Sequence, residues 1–281
     1  MSKYIIKYVC ICLLFNSYFF FAQEIVGGNP SFPSDPYNVK NIDVANQNIF
    51  YEYTYVKNTD EKLKTNSALT ILQVGTNYSK YVDFYTLKLD SLREKHSKLN
   101  RIEKKEISEQ MEYRREIGFK MTIIKNFKNT GFIAQSRIPN NDYEFEIMFP
   151  KLQWKLVPEY KTILDYKTQK AIIYYSGRNW IAWFAESIPI HLGPYTFGDL
   201  PGLILELYDE DNNHHFIAIG IDQKPHIIYK REEKKTIKTA KKEFFKTEKS
   251  FHDRPDLFFD INAVRGVDNF PKIPYNPIEL D

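Results

Sequence analysis

Residues 166–208 read YKTQKAIIYYSGRNWIAWFAESIPIHLGPYTFGDLPGLILELY and carry two of the three tryptophans of the chain. The stretch reads as strand, turn, strand, loop, strand. From Tyr166 to Tyr175 the β-branched and aromatic residues suit a strand, and Ser176-Gly177 signals a turn. From Asn179 to Ala185 the side chains alternate, with Asn179, Ile181 and Trp183 on one face and Trp180, Ala182 and Phe184 on the other. A large aromatic on each face predicts a strand covered on both sides. Ile188-Pro189 and Gly193-Pro194 then interrupt any ladder, because proline donates no hydrogen bond and restrains the residue before it. Pro201-Gly202 fits the two central positions of a type II turn, the second of which takes positive φ. Leu203 to Tyr208 reads as a buried strand leaving that turn.

Upstream, Ile49 to Val56 (IFYEYTYV) alternates and predicts the first strand, and Leu69–Val74 with Tyr78–Tyr85 predicts a hairpin around Gly75-Thr76-Asn77. From Leu87 to Ile117 the apolar residues recur at helical spacing among charges of both signs. This predicts one long exposed helix, or a helix and a charged loop. Strand patterns resume at Phe119–Ile124, Gly131–Ser136, Tyr143–Phe149 and Trp154–Val157, a spacing that suits an antiparallel meander. Downstream, His215–Ile221 and His226–Tyr229 predict another hairpin. Lys230–Lys249 predicts a second amphipathic helix or a protruding charged segment, anchored by Ile237, Phe244 and Phe245. The fold class expected is mainly β (β-rich α+β): a curved antiparallel sheet or open barrel with one or two helices, one of them across the concave side.

The N-terminus has the form of a secretory signal: Lys3 and Lys7, an apolar region from Val9 to Phe21, and a cleavage site at Ala22-Gln23. The apolar run falls short of the ~20 residues a membrane span needs, and no later segment reaches that length. The domain organisation expected is therefore a signal peptide over 1–22, a flexible Pro/Gly/Ser-rich leader over 23–47, a single β-rich domain over 48–269 and an extended tail over 270–281. Both cysteines, Cys10 and Cys12, lie inside the signal, which excludes disulfides, thiolate catalysis and cysteine metal sites from the mature chain. Loss of Lys3 and Lys7, and of no acid, takes the net charge from +3 to +1, which argues against a nucleic-acid binder.

The run Gly177-Arg178, Ala182-Trp183-Phe184, Ile188-Pro189, Gly193-Pro194 and Phe197, followed by Gly198-Asp199-Leu200-Pro201-Gly202-Leu203-Ile204, resembles the GLPGLI family of secreted bacterial proteins, known mainly from the Bacteroidetes. The resemblance is specific over this stretch and looser elsewhere. It implies kinship and export, and no reaction. Asp199 stands where the family motif has its first glycine, so Asp199 is expected in the left-handed region, which Asp tolerates better than most residues. Thr168 stands where many members carry cysteine. The motif residues from Gly198 to Ile204 are read as a structural corner.

Few residues suggest chemistry. His214-His215 beside Asp209, Glu210 and Asp211 is the most ligand-like local cluster, but adjacent strand residues point to opposite faces. Ser176, His191 and Asp199 could be assembled into a Ser–His–acid set, yet no nucleophile elbow, HExxH or phosphate-binding glycine loop is present. Arg178, Trp180, Trp183, Tyr195 and Phe197 are the candidate ligand-binding residues, able to line an apolar pocket or to fill a core. The expected function is that of an exported periplasmic, outer-membrane-associated or secreted protein. It would bind an apolar or peptide ligand or a cell-envelope partner without catalysis, metal or cofactor. The alternative is a metal-assisted hydrolase using His191 or His215.

Overall fold

The computed structural model describes residues 31–139, 141–232, 234–259 and 270–280. The signal-peptide expectation for 1–22 lies outside the described residues. In chain order the elements are β1 (Phe32–Pro33), β2 (Val39–Ala45), β3 (Gln47–Val56), β4 (Thr65–Val74), β5 (Tyr78–Asp83), α1 (Phe84–Ser97), β6 (Arg101–Ile102), α2 (Lys104–Glu116), β7 (Thr122–Asn126), β8 (Gly131–Ile138), β9 (Asn141–Met148), β10 (Lys155–Ile163), β11 (Tyr166–Tyr175), β12 (Arg178–Ala185), β13 (Leu203–Asp209), β14 (His214–Asp222), β15 (His226–Arg231), β16 (Ile237–Ala240) and α3 (Lys241–Asp253).

The chain is a β-rich α+β protein built on one 12-stranded sheet, in the order β10-β11-β12-β13-β14-β3-β4-β5-β7-β8-β9-β16. Every pairing in it is antiparallel except β16 with β9, so the sheet is mixed and ends in two edges. Its register explains the core. Phe145, Ala134, Ile123, Tyr81, Leu72 and Ile49 face one another across adjacent strands. Ala171, Ala182, Leu207, Phe216, Tyr53 and Ala68 form a second such row on the same face. All twelve are buried. Period-two alternation puts these residues on a single inner face, and their burial is the main stabilising term.

The sheet is curled around that face. The loop 186–202 crosses it, so that the Phe197 ring lies 4.7 Å from that of Trp180 of β12, tilted to it, while lying beside Phe132 of β8. Tyr51 donates a hydrogen bond across the interior to the Ile204 carbonyl at 2.7 Å. From the far edge, α3 adds Phe244, which stacks on Phe145 at 4.5 Å and is wholly buried. The concave side is therefore closed chiefly by a loop, with a helix only at one end. On the outer face, α1 and the β2–β15 ribbon cover β4 and β5, burying Gln73 and Lys80, and α2 packs on α1.

Several expectations are corrected. Residues 39–45 of the expected leader form β2, because their partner is β15, distant in sequence. For the same reason β15 does not return onto β14 as a hairpin. Leu87–Ile117 divides into two helices. Asp83 caps the first by accepting from Tyr85 N–H at 2.8 Å and holds the segment after the second through Gly118 and Phe119 N–H at 2.9 and 3.0 Å. The segment 230–249 splits between β15, β16 and α3, which makes three α-helices among the described residues rather than one or two.

The motif corner also differs in mechanism. Asp199 does take positive φ, 61°. Gly202 does not, so it is not the positive-φ position of a type II turn. A Cβ on Gly202 would stand 2.2 Å from the Ala185 carbonyl oxygen. Close backbone approach, rather than φ, requires glycine here.

Candidate functional site

The five candidate ligand-binding residues do not line a pocket. Trp180, Trp183, Tyr195, Phe197 and Arg178 are all buried, none more than 8% exposed. Trp180, Tyr195 and Phe197 fill the concave interior against Trp154, Tyr175 and Phe119. The space left beside Tyr195 and Phe197 is about 10 Å³, room for one water molecule at most. A larger groove of about 510 Å³ opens elsewhere, between β9 and β16. Of the two expected readings, an apolar pocket or a core, the geometry favours the filled core.

Arg178 does something else. On the inner face its Nη1 donates to Asp209 Oδ2 at 3.2 Å, Nε to the Ile278 carbonyl at 3.1 Å, and Nη2 to Asn276 Oδ1 at 2.6 Å and the Pro277 carbonyl at 2.9 Å. Asp209 in turn accepts from His214 N–H at 2.6 Å and Asn213 Nδ2 at 3.0 Å. His214 Nε2 meets the Pro277 carbonyl at 3.2 Å, which can only accept, so Nε2 carries the proton. Nδ1 is then the acceptor for the Tyr53 hydroxyl at 2.8 Å. Burial, then the charge of Arg178, pushes the His214 imidazole down to about 3, which keeps it neutral. Nearby, the Tyr195 hydroxyl donates to Glu279 Oε1 at 2.7 Å, and Lys241 pairs with the other carboxylate oxygen. The expected extended tail is held here as a strap by Arg178, His214, Tyr195 and Lys241. This network is structural.

The second constellation faces outward. Trp183 and Glu206 are register partners on β12 and β13, on the sheet face opposite the core rows. Glu206 accepts from His215 Nε2 at 2.9 Å and pairs with Lys161 of β10. Burial works against ionisation, but these two donors outweigh it and hold the Glu206 carboxyl below its ordinary value. Lys161 Nζ lies 4.4 Å from the Trp183 ring centre and Lys170 Nζ 6.0 Å, a cation–π arrangement. Lys170 also pairs with Glu159 at 2.9 Å. Tyr208 packs edge-on to His215 at 5.4 Å. The Trp183 indole N–H is buried without a partner among the described residues. This cluster meets solvent more than the Arg178–Asp209 pair does: the side chains of Lys161 and His215 are 37% and 34% exposed, against 6% and 2%. It offers ammonium and imidazole donors at the surface, held by the buried Glu206 carboxylate and the buried Trp183 ring, an arrangement suited to polar recognition.

The expected His–acid cluster is split by the strand. His214 points inward to Tyr53 and the tail, while His215 turns outward to Glu206 and not to Asp209, Glu210 or Asp211. Among the described residues no group of three or more His, Cys, Asp or Glu side chains converges as a metal site. His191 is exposed, and no hydrogen bond joins it to Ser176 or Asp199 through side chains. Lys161, Lys170 and Glu206 were not among the sequence candidates. The signal available was the alternation of β12 and β13, which puts Trp183 and Glu206 away from the leucines of β13.

Residues 94–247, more than half of the chain, match the family model described as N-glycanase peptide, N-terminal domain. The chain belongs to the N-glycanase peptide N-terminal domain family. The matched segment runs from within α1 into α3, and so includes both constellations except the tail and Tyr53. Two solved structures of PNGF-II are similar to this chain. The one in space group P21 aligns with a TM-score of 0.47 and 13% identity over 73% of this chain and 33% of that one. The one in C2 aligns with a TM-score of 0.45 and 15% identity over 74% and 32%. The chain spans about a third of the length of the solved chains it matches. No curated protein matches it in sequence.

Proposed function

We propose that this protein is an exported, non-catalytic recognition domain that binds glycan-bearing protein chains through the outer face around Trp183, Glu206 and His215. The observation that carries the reading is the contrast in exposure between the two constellations. The inner residues are spent on a filled core and a strap, whereas Lys161 and His215 present donors to solvent around a fixed carboxylate. The family supports a glycoprotein ligand, since the domain that names it is the N-terminal part of an N-glycanase. The GLPGLI resemblance and the signal-like N-terminus support export to the periplasm, the outer membrane or the medium. The hydrolase alternative is weaker, because His215 is committed to Glu206 and the acids of the 209–211 loop point elsewhere.

Calorimetric titration of the mature chain with an N-glycosylated peptide, and with the same peptide stripped of its glycan, tests the reading. Saturable binding of the glycopeptide, weakened at least tenfold by Lys161→Ala with Glu206→Gln, is the expected result. Equal binding of both peptides would make the ligand a peptide, and release of glycan or peptide product would make the protein an enzyme.

A further inference from the structure

The outer face of the sheet is covered at β4 and β5, but across β11, β12 and β13 it keeps a row of apolar side chains half-buried. Ile172, Ile181 and Tyr208 are successive register partners in that row. Tyr208 continues it to His215, its partner on β14, so the row runs into the Glu206 cluster. Tyr174 stands two residues along β11 from Ile172, on the same face, and is 70% exposed. A single exposed tyrosine on a strand is ordinary. The groups fixed beside this one are what give it a use.

Asn179 of β12 is the register partner of Tyr174, which brings the two Cβ atoms to about 4.5–5.5 Å. Asn179 Nδ2 donates to Glu210 Oε2 at 2.8 Å, and the Glu210 N–H donates back to the Asn179 carbonyl at 2.8 Å. Side chain and main chain thus lock Glu210, just beyond the end of β13, onto the strand that carries Asn179. All three side chains are exposed. Asn179 keeps its Oδ1 acceptor and one Nδ2 hydrogen, and Glu210 keeps its Oε1 acceptor, without partners among the described residues. Glu210 forms no ion pair among them either, and the neighbouring Asp211 meets only the exposed Lys62, at 3.7 Å. The corner therefore presents an aromatic plane, two unspent oxygen acceptors and negative charge.

We propose that Tyr174, Asn179 and Glu210 form a subsite for a neutral pyranose ring of the bound glycan, an inference that rests on the outer face being the glycoprotein-binding surface. A pyranose carries C–H groups on its faces and hydroxyls around its rim. The Tyr174 ring takes the apolar face at low entropic cost, since only two torsions are fixed. Adjacent hydroxyls donate to Glu210 Oε1 and Asn179 Oδ1, the first as a charge-assisted bond. The unpaired Glu210 carboxylate repels acidic sugars, which restricts the class to neutral hexoses and N-acetylhexosamines. The row from Ile172 to His215 crosses three strand spacings, about 14 Å. One ligand can therefore set its sugar at Tyr174 and its peptide at Lys161 and His215.

The test is saturation-transfer NMR titration of the mature chain with the methyl glycosides of mannose, of N-acetylglucosamine and of sialic acid. At least one neutral glycoside should bind saturably in the millimolar range, and the sialoside should not. Tyr174→Ala and Asn179→Ala should each weaken the neutral sugar at least fivefold, whereas Tyr174→Phe, which keeps the ring, should change it less than twofold. Tyr160→Ala, which removes another exposed aromatic ring, should also change it less than twofold. Thermal melts of these variants should match wild type, since the three side chains are exposed. Lys161→Ala with Glu206→Gln should spare the free glycoside while weakening the glycopeptide. Glycoside binding that survives Tyr174→Ala but is lost in the Lys161 and Glu206 variant overturns the subsite and leaves the glycoprotein reading standing. Absence of saturable glycoside binding, or equal binding of the sialoside, also overturns the subsite, and the glycopeptide titration then judges the broader reading alone.

Discussion

Arg178 of β12 grips Asp209 of β13 at 3.2 Å, and the same guanidinium holds the C-terminal strap through Asn276, Pro277 and Ile278. Both side chains are buried. Four guanidinium hydrogen bonds are made, one to Asp209 and three to the strap, so the pair joins two strands to a segment about a hundred residues away in sequence.

Removing one partner leaves the other as an uncompensated buried charge. Arg178→Met or Asp209→Leu should each cost about 3–5 kcal/mol. The double variant should cost much less than their sum, because neither charge is then orphaned. Urea denaturation of the three variants measures this, and strict additivity would show that the pair does not act as a unit.

Gly202 is held by space and Asp199 by backbone angle. Gly202→Ala should destabilise by about 3 kcal/mol or more, the upper end of overpacking, since its Cβ meets the Ala185 carbonyl at 2.2 Å. Leu203→Ala removes a fully buried side chain and should cost about 2–5 kcal/mol. Asp199→Gly should be neutral or stabilising by up to about 1–2 kcal/mol, because glycine takes a φ of 61° without strain. Melting temperatures of the three variants should therefore fall, fall and hold. Unchanged melting in the first two would make the motif a binding loop.

Lys80 is buried against the Tyr229 ring, 3.4 Å from its centre, with Asp90 and Arg231 nearby. Burial, against the pull of Asp90, pushes its ammonium down to about 7. An unfolded lysine titrates near about 10.4. Between those values the unfolded chain binds a proton that the native chain has shed, so stability should rise with pH from 7 upward. Lys80→Met should remove that slope and raise stability at pH 7. Denaturation midpoints from pH 7 to 9.5, compared between the two proteins, measure the difference; parallel curves would mean Lys80 stays charged when folded.

His214 gives the opposite side of the range. Its native value of about 3 lies below the ordinary 6.5, so the unfolded chain binds the extra proton between them. Stability should fall as pH drops from 6.5 towards 3. Protonation would place a donor on Nδ1 against the Tyr53 hydroxyl and a charge beside Arg178, loosening the strap. Limited proteolysis near residues 270–280 should therefore accelerate in acid for wild type. If His214→Gln shows the same acid profile, the titrating group lies elsewhere.

Much of the fold was legible because strand patterning is local. The first strand, the β4–β5 hairpin, the β7–β8–β9 meander and the three strands of the 166–208 stretch follow from alternation and turn residues, whereas β10, expected to continue that meander, pairs with β11 at the opposite end of the sheet. The aromatic candidates were legible as large apolar residues able either to line a pocket or to fill a core. Trp180 and Phe197 look alike in sequence whether they line a cavity or fill one, and only the loop that lies over them decides it. The outer cluster was hidden because Lys161, Glu206 and His215 are ordinary surface types, separated in sequence and meaningful only in register.

By itself, then, the sequence determined the β-rich class, the positions of most strands, the turn at Ser176-Gly177 and the left-handed Asp199. Each depends on the conformational preferences of a few neighbouring residues. Only the tertiary structure decided that β2 pairs with β15, that Gly202 answers to Ala185 and that His214 faces the strap. Those outcomes turn on which polar groups find partners once buried. That is a property of surfaces brought together from distant parts of the chain, and no short window of residues contains it.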